Sequence, residues 1–223
     1  MIFFVQNRQL ALSLEELRRL CNVVESLGPS GKAIIHLNEW SEVESPRNQL
    51  YELAQYVPSN VTLQLNKFDW RSRSLNRMRE IFPNNRFILP YNSQATDEID
   101  CLSLIQRNLH VIDDLLIDES EGNGELCDVA RVATMVSKFR TAFPTLSLGV
   151  AGGLGTGSAA HVAPHLRSLA PINVDAETGF WKNGELLTEK VADYLRAMFV
   201  VDSLKCGALV LAIIHSVSKL FRS

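Results

Sequence analysis

Leu148-Gly-Val-Ala-Gly-Gly-Leu154 and, further along, Ile172-Asn-Val-Asp-Ala-Glu-Thr-Gly179 are the two stretches that decide the fold. Each is an apolar strand that ends in glycines just before a helix-like segment. Backbone N–H groups and a helix N-terminus at such a junction hold a phosphate. The expected ligand is therefore a phosphorylated small molecule.

Outward from these stretches, the chain alternates short apolar runs with helical patterns, as a parallel sheet requires. The strands are expected at Ile2 to Val5, Ala33 to Leu37, Val61 to Leu65, Arg86 to Leu89, Leu115 to Ile117, Leu146 to Ala151 and Ile172 to Ala176. Ser13 with Glu16 forms a capping box ahead of a first helix, and Leu126 to Phe143 reads as a helix that Pro144 ends. The series predicts an α/β fold, a TIM-type (β/α)8 barrel whose last two units carry the glycine loops.

A barrel needs eight strands, and the series supplies seven. Either the first β-α unit has been lost, or the apolar run Gly207-Ala-Leu-Val-Leu-Ala-Ile-Ile214 takes its place as a helix or an eighth strand. Leu204, Ala208, Leu211 and His215 fall on one helical stripe, which predicts a helix. The expected organisation is one barrel domain over 1–200 and an apolar extension over 201–223, packed on the barrel or filling the gap. Asp202 and Lys205 interrupt the run, leaving it short of the roughly 18 residues of a membrane span.

With 22 basic and 25 acidic residues, the chain offers no basic field for nucleic acid or an anionic membrane. Cys21, Cys101, Cys127 and Cys206 are scattered, with no spacing that suggests disulfides or zinc. The apolar run at Met1 to Val5 is too short for a signal peptide and no basic segment precedes it. These features point to cytoplasmic small-molecule chemistry, with no cofactor required. A second copy of the chain covering an open barrel edge is the protein partner that an incomplete barrel invites.

Strand parity picks out the candidate site. Thr62, Gln64 and Asn66 alternate with apolar residues and share a face; the same parity aligns His36 with Asn38, and Asn173 with Asp175 and Glu177. Branched apolar side chains normally fill a barrel interior, so polar residues near strand ends read either as a satisfied hydrogen-bond network or as a substrate pocket. Asp118 ends the strand Leu115-Leu-Ile-Asp118, where barrel enzymes place acids and bases. Glu177 is the second candidate acid or base; Glu119 and Glu121 compete for that role, with a solvated loop as the expected place for both. Gly152, Gly153, Thr178 and Gly179 are the expected phosphate ligands; His36, Asn38, Gln64, Asn66 and Asp175 are the expected substrate-binding residues.

Leu115-Leu-Ile-Asp118, Ala151-Gly-Gly-Leu154 and Val174-Asp-Ala-Glu-Thr-Gly179 together resemble phosphoribosylanthranilate isomerase, at its strand-six motif and its strand-seven and strand-eight phosphate loops. Leu63-Gln-Leu-Asn66 resembles its strand-four Gln-Leu-His. Uncharacterised barrel relatives of that isomerase are a closer echo, with patterns like those at His36, Gln64, Gly152 and Asp175. The resemblance implies an isomerase that converts an aminoaldose phosphate to an aminoketose, with Asp118 as the acid. The family's base is a cysteine in a strand-one Lys-x-Cys-Gly motif, which this chain lacks at its start; Lys205-Cys-Gly207 resembles a fragment of it at the other end. Glu177 also stands where a small residue would leave room for phosphate.

Two further readings stay open. A degenerate barrel would bind phosphate without turnover. His36, Asp118, Asp175 and Glu177 would, if they converged, hold a divalent ion for a lyase or hydrolase. His161 and His165 at i, i+4 read as surface histidines, since no third ligand is placed. Lys67 has the wrong parity for a Schiff-base aldolase, and Gly152-Gly-Leu-Gly155 lacks the dinucleotide spacing.

Overall fold

A computed structural model describes residues 2–5, 15, 18–19, 22, 32–37, 51, 53–66, 74–91, 98–119, 126–169, 171–176, 180–182, 185–187, 189–190, 193–194, 197 and 212–214. In chain order the strands are β1 (Ile2–Val5), β2 (Lys32–Leu37), β3 (Thr62–Leu65), β4 (Arg86–Tyr91), β5 (Asp114–Asp118), β6 (Ser147–Ala151), β7 (Asn173–Val174), β8 (Trp181–Lys182), β9 (Glu185–Leu186) and β10 (Ala212–Ile214). The helices are α1 (Ser74–Ile81), α2 (Glu98–Asn108), α3 (Val129–Ala142) and α4 (Thr156–Ser168). The chain divides into two compact units, residues 1–88 with 208–223, and residues 89–207.

In the first unit the strands run parallel in the order β10-β1-β2-β3-β4. All four residues of β3 are buried, because a strand paired on both sides and covered on both faces leaves none of its side chains to water. Helix α1 buries Leu75 and Met78, and Phe82, the residue after its last, continues that buried side at i, i+3, i+7. Buried Asn85 pins the approach to β3, its Nδ2 donating to Pro58 O at 2.7 Å and to Val61 O at 2.9 Å. Arg79 lies over the Phe87 ring, 4.5 Å from its centroid, and donates to Asn85 O at 2.7 Å.

The apolar C-terminal run corrects the sequence expectation. A helix was predicted there, but Ala212–Ile214 forms strand β10, parallel to β1 with Phe3 opposite Ala212 and Val5 opposite Ile214. The physical reason is the open side of β1. Its N–H and C=O groups need partners, and the β-branched pair Ile213-Ile214 suits an extended backbone. Cys206 and the rest of the Lys205-Cys-Gly207 fragment precede this strand in sequence and lie outside the described residues.

In the second unit β5, β6 and β7 run parallel, with Asp114 opposite Ser147, Asp118 opposite Ala151 and Val150 opposite Val174. Helix α3 starts three residues later than its apolar pattern suggests. Asp128 is its N-cap, and Oδ1 accepts the amides of Ala130 at 3.0 Å and Arg131 at 3.2 Å. The helix buries Val132, Met135, Val136 and Phe139. Phe139 meets Tyr91 edge-on with centroids 5.3 Å apart. Arg140 ties the end of α3 to the approach to β7, donating to Leu169 O at 2.7 Å and Pro171 O at 2.8 Å. An antiparallel hairpin, β8-β9, follows β7; its two-residue link, Asn183-Gly184, is the strongest short hairpin signal in the sequence. Among the described residues no helix is long and apolar enough to cross a membrane.

Candidate functional site

The predicted site residues fall into one group in each unit. In the first, β2 and β3 bring His36 directly opposite Gln64, and Asn66 follows at the end of β3. Gln64 Nε2 donates to Asn66 Oδ1 at 3.0 Å, and Asn66 Nδ2 lies 3.4 Å from His36 Nδ1. His36 and Gln64 are buried, Asn66 partly so. Burial disfavours the imidazolium and pulls the His36 pKa down to about 4. The Gln64–Asn66 hydrogen bond fits the shared face that parity predicts for those two residues; the register that sets His36 opposite Gln64 is not fixed by parity within either strand, and Asn38, which parity aligns with His36, lies outside the described residues.

In the second unit three strand ends lie level. Asp118 closes β5 opposite Ala151 of β6, and Asp175 follows β7, its amide donating to Val150 O at 2.8 Å. Beyond Ala151 the chain turns through Gly152 at φ 114° and Gly153 at φ 59°. The first angle is one that L side chains rarely adopt, so a glycine is required there. The turn feeds α4, whose N-cap is Gly155.

That cap differs from the one on α3. Gly155 has no side chain to accept the first amides, whereas Asp128 accepts two at the start of α3. Ser158 instead turns back, its Oγ accepting Gly155 N–H at 3.0 Å and donating to Gly153 O at 3.0 Å. The amides of Ser158 and Ala159 donate to Gly155 O. Those of Thr156 and Gly157, in the first turn, have no partner within the helix. A Cβ added at Gly157 would meet nothing within 4 Å. The result is a turn braced from behind by Ser158 with an uncapped helix N-terminus, which favours an anion through both its amides and its dipole.

Near the turn, Cys127 and Tyr194 had no role in the sequence reading, and Glu119 was expected elsewhere. Cys127 is buried and its amide donates to Gly152 O at 3.3 Å. Burial, and then the charge of Glu119 with smaller contributions from Asp118 and Asp128, pushes its thiol up to about 11, against the opposing effect of a backbone hydrogen bond. Tyr194 packs edge-on against Phe180, 5.1 Å between centroids. Its hydroxyl is buried with no hydrogen-bond partner among the described residues, and burial, Asp175 and Cys127, in that order, raise its pKa. Both groups are neutral donors at pH 7. Glu119, expected in a solvated loop, instead has a side chain only 7% exposed and pairs with Arg131 Nε at 3.0 Å. The helix that starts at the Asp128 cap carries that arginine back to it. No local pattern marks any of these contacts; each depends on which segments meet.

Glu177, Thr178, Gly179 and Glu121 lie outside the described residues. His161 and His165 are exposed on α4, ring centroids 6.1 Å apart. Among the described residues no three His, Cys, Asp or Glu side chains are grouped to hold a metal ion.

The chain is similar to phosphoribosylanthranilate isomerase from Thermus thermophilus, with a TM-score of 0.55 and 16% identity over 89% of this chain and 84% of that one. The chain shares the fold of that isomerase. The isomerases from Thermococcus kodakaraensis (TM-score 0.48, 12% identity, 90% and 98% of the two chains) and Pyrococcus furiosus (0.45, 13%, 88% and 97%) are also similar in structure. No protein-family description and no curated protein matches the sequence. The expected α/β, isomerase-barrel-like fold is thus observed at a sequence similarity too low to carry activity with it.

Proposed function

We propose that this chain binds a phosphorylated sugar or related metabolite at the Gly152-Gly153 turn and the N-terminus of α4, and that Asp118 transfers a proton on the bound ligand in an aldose-ketose type isomerisation. The observation that carries the reading is the juxtaposition of Asp118, opposite Ala151, with the turn that begins at the next residue and opens onto an uncapped helix N-terminus. An anion held by amides fixes one end of a ligand, and the carboxyl at the neighbouring strand end then works on a positioned substrate. Thr178 and Gly179 would complete the anion cradle. In such an isomerisation one carbon loses a proton and its neighbour gains one, so the redox change is internal to the substrate and no cofactor is consumed. Asp118 supplies one of the two proton-transfer roles, and Glu177 is the candidate for the other. Cytoplasmic small-molecule metabolism is the setting that fits this chemistry.

Gly157→Asp tests the site without disturbing the fold. The new carboxylate enters open space in the first turn of α4, where it stabilises the helix by about 0.3–1 kcal/mol through the dipole and repels an anionic ligand. Thermal melts with inorganic phosphate and sugar phosphates are expected to show a saturable rise in Tm for the parent chain. The variant should melt as high or higher alone and show no rise. A parent protein that melts cooperatively with no response to any phosphorylated compound would sink the proposal. Binding without turnover, unchanged by Asp118→Asn, would leave a binding module in place of an isomerase.

A further inference from the structure

The polar chain across β2 and β3 has a direction. Gln64 Nε2 donates to Asn66 Oδ1, which leaves the Asn66 amide nitrogen facing His36 Nδ1. An amide nitrogen only donates, so Nδ1 is the accepting nitrogen and the neutral ring carries its proton on Nε2. At the other end Gln64 Oε1 is buried and has no hydrogen-bond partner among the described residues. Gln64 as a whole is 5% exposed, so this oxygen has lost its hydration in full. A buried carbonyl oxygen left this way is costly and calls for an occupant that restores the bond.

The occupant is constrained by charge. A phosphate or carboxylate would bring a negative charge that His36, Gln64 and Asn66 do nothing to offset, and would turn mostly lone pairs toward Oε1. An ammonium group would donate, but His36, Gln64 and Asn66 provide no negative charge to offset its desolvation. A hydroxyl donates and accepts at once and carries no charge. The register that sets His36 against Gln64 puts a donor edge and an acceptor on adjacent strands, whose spacing is about 4.8 Å.

We propose that His36 and Gln64 form a subsite for a neutral hydroxyl of a sugar or polyol, which donates to Gln64 Oε1 beside the Nε2–H edge of His36, with Asn66 fixing the orientation of both. The proposal takes from the proposed function only that the chain binds a sugar-type ligand, and it is argued from the first unit alone. His36 and Asn66 are positioning and binding groups here, with no proton transferred. A buried water has the same hydrogen-bonding capacity and is the alternative that the experiment separates.

The test is an NMR titration of the full chain, following the Gln64 side-chain amide, the His36 ring nitrogens and the backbone amides of Gly153, Thr156 and Gly157. The probes are ribitol, ribose 5-phosphate and inorganic phosphate. Ribitol and ribose 5-phosphate are expected to move the Gln64 and His36 signals saturably, with His36 in its Nε2–H form throughout, and inorganic phosphate is expected to leave them in place. Gln64→Met should weaken ribitol binding by roughly two- to tenfold, the loss of one hydrogen bond. Gln64 and His36 signals that ignore both ribitol and ribose 5-phosphate would mean that water alone meets the oxygen, and would overturn the subsite. The titration of the parent chain decides this even if the variant folds poorly. Failure of the phosphate site reads out separately, as Gly153, Thr156 and Gly157 amides that do not respond to inorganic phosphate.

Discussion

The two units bury polar side chains at their strand ends by opposite means. In the first, His36, Asn66 and Gln64 form a chain of neutral groups. In the second, Asp118, Asp175 and Glu119 bring carboxylates beside a neutral thiol and phenol, with Arg131 as a counter-charge to Glu119. Neutral amides and imidazole need only well-placed partners and no counter-charge, and hold a fixed pattern of donors and acceptors suited to recognition. Carboxylates cost more to bury, and such groups are kept where charge or proton transfer is useful.

Charging the neutral cluster breaks this contrast most strongly. The His36 pKa is depressed in the fold, from 6.5 to about 4, so the unfolded chain takes up a proton that the folded chain refuses. Stability is then whole above pH 6.5, falls as the pH drops through the window between 6.5 and 4, and loses up to about 3 kcal/mol at the bottom of it. Urea unfolding of parent and His36→Gln at pH 7, 6 and 5 measures this. The variant should lose most of the slope between pH 6.5 and 5, where few carboxylates titrate; equal slopes would show that His36 is not held neutral.

The turn of the second unit comes next. Gly152→Ala forces a side chain onto φ 114°, at a cost of about 1–3 kcal/mol, whereas Gly153→Asn, at φ 59°, enters the left-handed region that asparagine tolerates. Thermal melts of the two variants should separate clearly. Equal Tm values would mean that the turn is not held as described. The smallest effect is expected from Arg131→Gln. It leaves the buried Glu119 carboxylate without its partner, but Arg131 is 48% exposed and water screens the pair. A loss of about 1 kcal/mol at pH 7 follows, shrinking when Glu119→Gln is added.

The parallel strands were legible from their short apolar runs, and helix α3 from its apolar pattern and the stop at Pro144, although its start was read ahead of the Asp128 cap. So was the shared face of Gln64 and Asn66, joined side chain to side chain, which needs only the two-residue period of a strand; the register that sets His36 opposite Gln64 was not. The C-terminal strand was not. A short run such as Leu211 to Ile214 fits a helical stripe and a strand equally well until its neighbour is known, and that neighbour is β1, at the far end of the sequence. The β8-β9 hairpin had a local signal in Asn183-Gly184. Burial of Cys127, Glu119 and Tyr194 had none, because each depends on a partner from another element.

The pairing of Phe3 with Ala212 also sets a schedule for the living chain. Residues 89–207, the whole of the second unit, lie between the strands that complete the first. On a ribosome the early strand Ile2–Val5 is made long before β10 exists, so the side of it that meets β10 waits until residues 212–214 emerge. Closing so long a loop is slow, and an apolar strand left waiting invites pairing with a neighbouring chain. A messenger that ended between residues 207 and 212 would therefore produce a protein with an intact second unit and a permanently adhesive first strand.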